Sequence, residues 1–183
     1  MNQTALKAAQ KVGFPRDHIV GVWWSGAEED TIPAGDAAKG YIAAGFNVAG
    51  AKFTGAGRYR DVLAFRDGGA DPIIDFVDAG LPSTVVPPRR FARAMEHMLA
   101  RIAARGADIL VAEAGASPLE PYNGDIAVRM LGANVCCTVL CASDPYAVVG
   151  VREAFKIEPD IVTGPTANTQ AGIDLVRKLT GLE

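Results

Sequence analysis

The sequence predicts an α/β domain, a three-layer sandwich with a mostly parallel sheet between helices. Three observations predict it. Short, continuously apolar runs rich in Val and Ile recur along the 183 residues, as in strands buried on both faces of a parallel sheet. Helix-like stretches separate them, which is the alternation of a sheet covered by helices on both sides. Hydrophobic residues make up 49% of the chain, ample for the core of one domain of this length.

In order, residues 3–12 read as a helix and "HIVGVWW" (18–24) as the first strand. Ala37, Ala38, Ile42 and Ala43 suit one face of a helix over 34–44, and Gly45 suits its end. "FNVAGAKF" (46–53) and "PIIDFVD" (72–78) read as strands, with a helix over 57–67 between them. Over 89–105, "RRFARAMEHMLARIAAR" places Phe91, Met95, Met98, Leu99 and Ile102 at helical spacing, and its arginines read as a solvated face. "ADILVAEA" (107–114) and "NVCCTVLCAS" (134–143) are strands flanking a helix over 122–131. A helix over 146–156 follows, with Ser143 or Asp144 as its cap and Pro145 in its first turn. "DIVTG" (160–164) and a helix over 168–180 complete the chain.

Composition narrows the function. A net charge of −3 argues against nucleic acid as a partner. Residues 1–18 are too polar for a signal peptide or a membrane span, so the chain reads as cytoplasmic, with no membrane partner. Cys136, Cys137 and Cys141 share one strand, and Cys136 faces away from the other two. They read as core thiols rather than zinc ligands or a disulfide. Only His18 and His97 are present, little material for a catalytic histidine.

In a parallel sheet, ligands gather at the carboxyl ends of the strands. "AKFTGAGRYRD" there combines Lys52, Thr54, Arg58 and Arg60 with Gly55 and Gly57. Glycines admit an anion to backbone N–H groups, and basic side chains complete such a site. "ILVAEAG" ends a strand on Glu113, a position suited to holding Mg²⁺ or orienting water. Of Asp75 and Asp78, one is expected to face the crevice, and Ser143 and Asp144 stand at the end of the fifth strand. "TGPTANTQAG" offers a helix-start anion site, or simply a cap at Thr166 or Asn168. A glycine loop of the form G-x-x-x-x-G-K-[ST] should follow the first strand in a phosphate-binding domain. Here "SGAEEDTIPAGDAAKG" carries Glu28, Glu29 and Asp30 instead.

From about Gly45 onward, "GFNVAGAKFTGAGRYRD", "GADPIIDFVDAGLPST", "VAEAGASPLEPYNG" and "CTVLCASDPYAVVGV" resemble the C-terminal P-loop domain of the D-glutamate N-acetyltransferase family, which is similar to dethiobiotin synthetase. The resemblance implies a P-loop-NTPase-like fold, with phosphate contact for Lys52 and Mg²⁺ coordination for Asp61 and Glu113. It implies Mg²⁺ with ATP, or acetyl-CoA, as cofactor, and transfer to a small amino acid such as D-glutamate. Residues 1–44, with "VGVWWSGAEED" and "GDAAKGY", resemble a segment of the periplasmic amino-acid-binding proteins of branched-chain ABC transporters. That pattern would make "KGYIAAGF" extended. The two resemblances meet near "AAGFNVAGA", as in a chimera. They leave three expectations: a scaffold with a degenerate phosphate loop and little catalysis, a nucleotide- or acetyl-CoA-dependent transferase, and an amino-acid-binding module. An incomplete domain of this kind is also expected to associate with a second copy of itself.

Overall fold

The structure, a computed structural model, describes residues 34–115, 120–131 and 134–182, and the backbone of 19–25. The helix expected over 3–12, and Glu28, Glu29 and Asp30, lie outside the described residues.

Six strands form one sheet: β1 (Ile19–Ser25), β2 (Val48–Thr54), β3 (Ile73–Asp75), β4 (Ile109–Ala114), β5 (Val135–Cys141) and β6 (Ile161–Thr163). Their order is β3-β2-β4-β1-β5-β6, and every pairing is parallel. The helices are α1 (Ala34–Ala43), α2 (Tyr59–Asp67), α3 (Pro88–Ala103), α4 (Gly124–Leu131), α5 (Pro145–Phe155) and α6 (Gln170–Thr180). The stretch 34–43 is therefore helical, and only residues beyond it extend into β2.

Right-handed crossovers decide which face each helix covers. The chain steps outward from β1 through β2 to β3 and returns through β4 and β5 to β6. That reversal puts α1 and α2 on one face and the other helices on the opposite one. Two apolar clusters match this division. Ala38 of α1 and Phe65 of α2 pack with Val48, Ile109, Val111, Cys137 and Val139. Phe91, Met95 and Met98 of α3, Ala127 and Leu131 of α4, Val148 of α5 and Val176 of α6 pack with Ala49, Ala51, Phe53, Leu110 and Ala112.

The first face is unusually close-fitting. Phe65 lies where a side chain on Gly50 would be, 2.5 Å from the position of its missing Cβ. Residue 50 must be glycine for α2 to sit so near β2. A Cβ on Gly68 would fall 2.2 Å from the carbonyl oxygen of Gly35, so α1 and α2 meet backbone to backbone. Cys137 and Cys141 are buried and Cys136 half-buried, none in a disulfide. Among the described residues no helix is long and apolar enough to cross a membrane.

Candidate functional site

The contact between Phe65 and Gly50 brings two distant charges together. Asp61 precedes Phe65 by four residues on α2, so both share one helix face about 6 Å apart. Lys52 follows Gly50 by two residues on β2, about 6.6 Å along the same sheet face. The two spacings match, and α2 runs back from the carboxyl edge. Asp61 therefore comes over Lys52.

Lys52 is in register with Glu113 on β4 and Asp75 on β3. Its ammonium donates to Asp61 Oδ2 and lies 3.3 Å from Glu113 Oε1. The lysine is buried, 3% exposed, whereas the two carboxylates keep about a fifth of their side-chain surface, 22% for Asp61 and 19% for Glu113. A buried ammonium needs such partners, because an uncompensated charge away from water is costly. Burial raises the Glu113 carboxyl above its usual range; the Lys52 charge opposes the rise and the Asp61 charge adds to it.

The strand is irregular at this point. Between Lys52 and Thr54 the register against β4 shifts, so that Phe53 is the extra residue of a bulge. Beyond the bulge the loops after β2 and β4 lock together. Thr54 Oγ1 donates to the Gly115 carbonyl at 2.9 Å, and the Gly55 N–H donates to Thr84 Oγ1 at 3.3 Å. A Cβ on Gly115 would lie 2.9 Å from the Thr54 carbonyl oxygen and 3.0 Å from Glu113 Oε1. Only glycine leaves room there for the Glu113 carboxylate. Asn123, in the left-handed region with φ 62°, donates through Nδ2 to the Thr84 and Val86 carbonyls. It ties the loop after β3 to the start of α4.

Of the residues singled out in the sequence, Lys52, Asp61 and Glu113 thus form one cluster, with Thr54 and Gly55 in the adjoining loop crossing. Gly55 faces the Gly115 backbone, and its N–H is already used. Gly57 and Arg58 are exposed at the start of α2. Arg60 is also exposed, with its Nε 3.6 Å from Asp61 Oδ1. Asp75 and Asp78 bond locally. Asp75 Oδ1 accepts the N–H groups of Val77 and Asp78, and Asp78 Oδ2 accepts that of Asp75. Together they close the turn after β3.

Ser143 and Asp144 stand across β1, at the end of β5. Asp144 is the cap of α5: it accepts the Tyr146 and Ala147 N–H groups, and Ser143 Oγ donates to its other oxygen. These bonds, led by that from Ala147, hold the Asp144 carboxyl below its ordinary value. The cap of α6 is Thr169, not Thr166 or Asn168; its side chain accepts from the Gly172 N–H. Thr166 is buried instead, in the short 3₁₀ turn Pro165–Ala167.

Reading the sequence alone missed Thr84, Gly115 and Asn123. The Asn-Gly pair at 123–124 carried the only local signal, a residue type that tolerates positive φ. Thr84 gave none, since its role depends on a contact 29 residues away.

The hard carboxylate oxygens of Asp61 and Glu113 suit Mg²⁺, which takes one or two carboxylates and completes its shell with water and phosphate. Among the described residues no group of three or more His, Cys, Asp or Glu is placed to hold a metal. Such an ion would therefore depend on ligand oxygens.

No family model matches the sequence, and no curated protein matches it. Among solved structures, the fold is similar to the signal recognition particle 54 kDa protein from Aeropyrum pernix K1, solved in complex with GDP. The TM-score is 0.54 at 17% identity, over 97% of this chain. This chain spans 45% of that protein's length. The two share an architecture, a parallel sheet between helices.

Proposed function

We propose that this chain is a nucleotide-type phosphate-binding domain that holds a magnesium–nucleotide weakly at the β2–β4 edge, with little or no turnover. The observation that carries the reading is the buried Lys52 ammonium held between Asp61 and Glu113 at the carboxyl edge of the sheet. Two carboxylates to one ammonium make this cluster repel a bare phosphate. Bound Mg²⁺ would supply the positive charge that reverses that repulsion. Asp61 and Glu113 would hold the ion, which would leave the Lys52 ammonium free to meet phosphate oxygens. Because a metal takes the deprotonated carboxylate, the raised Glu113 carboxyl makes magnesium binding weaken as pH falls.

Weak binding follows from the sequence that runs from the end of β1 into α1, where "GAEEDTIPAGDAAKG" does not supply the pattern G-x-x-x-x-G-K-[ST] with its glycine cradle and lysine. The two-part resemblance of the chain supports the same reading, a chimeric or truncated scaffold with a degenerate phosphate loop. The GDP in the A. pernix structure makes guanine nucleotides worth testing beside ATP.

Thermal melts with MgATP, MgGDP, acetyl-CoA, D-glutamate and leucine at millimolar concentration test the reading. A rise in Tm with a magnesium–nucleotide, absent when EDTA replaces Mg²⁺, is expected. A rise with acetyl-CoA and D-glutamate together would favour the transferase, and one with leucine alone the amino-acid-binding module. A sharp melt indifferent to every ligand would leave only the scaffold.

A further inference from the structure

Beyond the edge strand β3, on the face that α3 covers, lies an open groove of about 520 Å³. Gly80 and Leu81 form one wall and Arg89, Arg90, Arg93 and His97 the other. Arg89, Arg93 and His97 follow one another at i, i+4 and i+8, and Arg90 adjoins them, so the four make one stripe along the helix. All four are exposed.

What distinguishes this stripe is that its four cations line one groove and no acid lines it with them. Some cations elsewhere find a carboxylate on their own or a neighbouring segment, as Arg129 does with Asp125 and Lys156 with Glu153, while others such as Arg58, Arg66 and Arg101 stand singly in solvent. Among the described residues, no side chain pairs with Arg89, Arg90, Arg93 or His97. The sole acid of α3, Glu96, pairs with none of them and does not line the groove. The first turn of α3 contains two arginines and no acid, the reverse of what the helix dipole favours. Local stability does not account for this arrangement, and a rule broken without local compensation points to a function. In a chain of net charge −3, it concentrates positive charge at one concave place.

We propose that this groove binds a small, multiply charged phosphate compound, a diphosphate or a phosphorylated small molecule, at a site separate from Lys52. Guanidinium forks match phosphate oxygens in pairs, and the volume lies in the range of small-molecule sites. Lys52 meets Asp61 on the α2 face of the sheet, whereas the groove opens on the α3 face. The phosphate comes either from a free compound or from the far end of a longer ligand seated at the Lys52 edge.

Isothermal titration of the full chain with inorganic pyrophosphate, at fixed ionic strength, tests this. The variants are Arg89→Gln with Arg93→Gln, Asp61→Asn, and Arg101→Gln as an exposed control on the same helix outside the groove. Binding to the unaltered chain is expected. It should weaken by roughly tenfold or more in the double variant, through loss of charge-assisted bonds, and stay unchanged in the other two. An unaltered melt of the double variant would show that the loss is not unfolding. If the double variant also weakens MgATP binding, the phosphate belongs to one long ligand; if MgATP is unaffected, it belongs to a free compound. Equal affinity in all variants, or sulfate binding as tightly as pyrophosphate, would mean an adventitious ion only and overturn the proposal. A changed affinity in Asp61→Asn alone, tighter as one repelling charge is removed, would put pyrophosphate at the Lys52 edge and also overturn it. Tighter binding of a single-stranded RNA through the same arginines would replace the small ligand with a macromolecule.

Discussion

At the carboxyl edge of β2 a single ammonium, 3% exposed, is matched by two carboxylates; along α3, three arginines and a histidine stand in solvent, paired with no acid among the described residues. The difference follows from solvation. A buried cation forfeits its water and is tolerated only with partners fixed in place. An exposed one keeps its water, so an unpaired cluster costs little and stays ready for a ligand. Lys52 is thus part of what holds α2 to the sheet, while the α3 stripe is dispensable to folding.

The largest effect expected from this contrast is at Lys52. Lys52→Met keeps the stem but leaves two carboxylates facing each other. We expect a loss of about 3 kcal/mol in urea unfolding, the lower end for breaking a buried pair, because both acids keep some exposure. A loss no greater than that of an ordinary surface change would break the comparison. The same cluster sets a pH dependence. Glu113 holds its proton more tightly in the fold than in the unfolded chain. Its contribution is therefore most favourable below the ordinary glutamate value, and is lost as pH rises through the raised one. Urea melts in acid and at neutrality should show that decline, and Glu113→Gln should flatten it.

Asp144 sharpens the comparison from another side. It too is a carboxylate at the sheet's carboxyl edge, but its oxygens cap α5. Asp144→Ala should cost about 1 kcal/mol and leave nucleotide binding untouched. The smallest effect belongs to α3. Arg89→Gln removes a cation from the wrong end of a helix dipole, so stability should rise by about 0.3 kcal/mol at low salt, a gain that added salt erases.

The sheet and its helices were legible because periodicity is local. The apolar run 109–114 and the stripe Phe91, Met95, Met98 and Ile102 need no partner to be recognised. The helix over 34–43 could be chosen for the same reason, against a pattern that wanted it extended. The meeting of Lys52, Asp61 and Glu113 was harder to read. Their place at strand ends marked them, but their contact depends on the Gly50–Phe65 fit, which nothing local announces. The arginines of α3 read as a solvated face, and solvated they are; the groove beside them exists only once the turn at 79–81 folds against the helix. Ser143 and Asp144, grouped with the ligand residues, proved to be separated from them by β1.

The most direct test of the account is calorimetric titration of MgATP and MgGDP into the unaltered chain and into Asp61→Asn. The substitution keeps the shape beside Lys52 and removes one of the two charges assigned to the metal. The account predicts weak, magnesium-dependent binding that falls by roughly tenfold or more in Asp61→Asn, while both proteins unfold cooperatively. No binding to either protein, or equal binding to both, would contradict it.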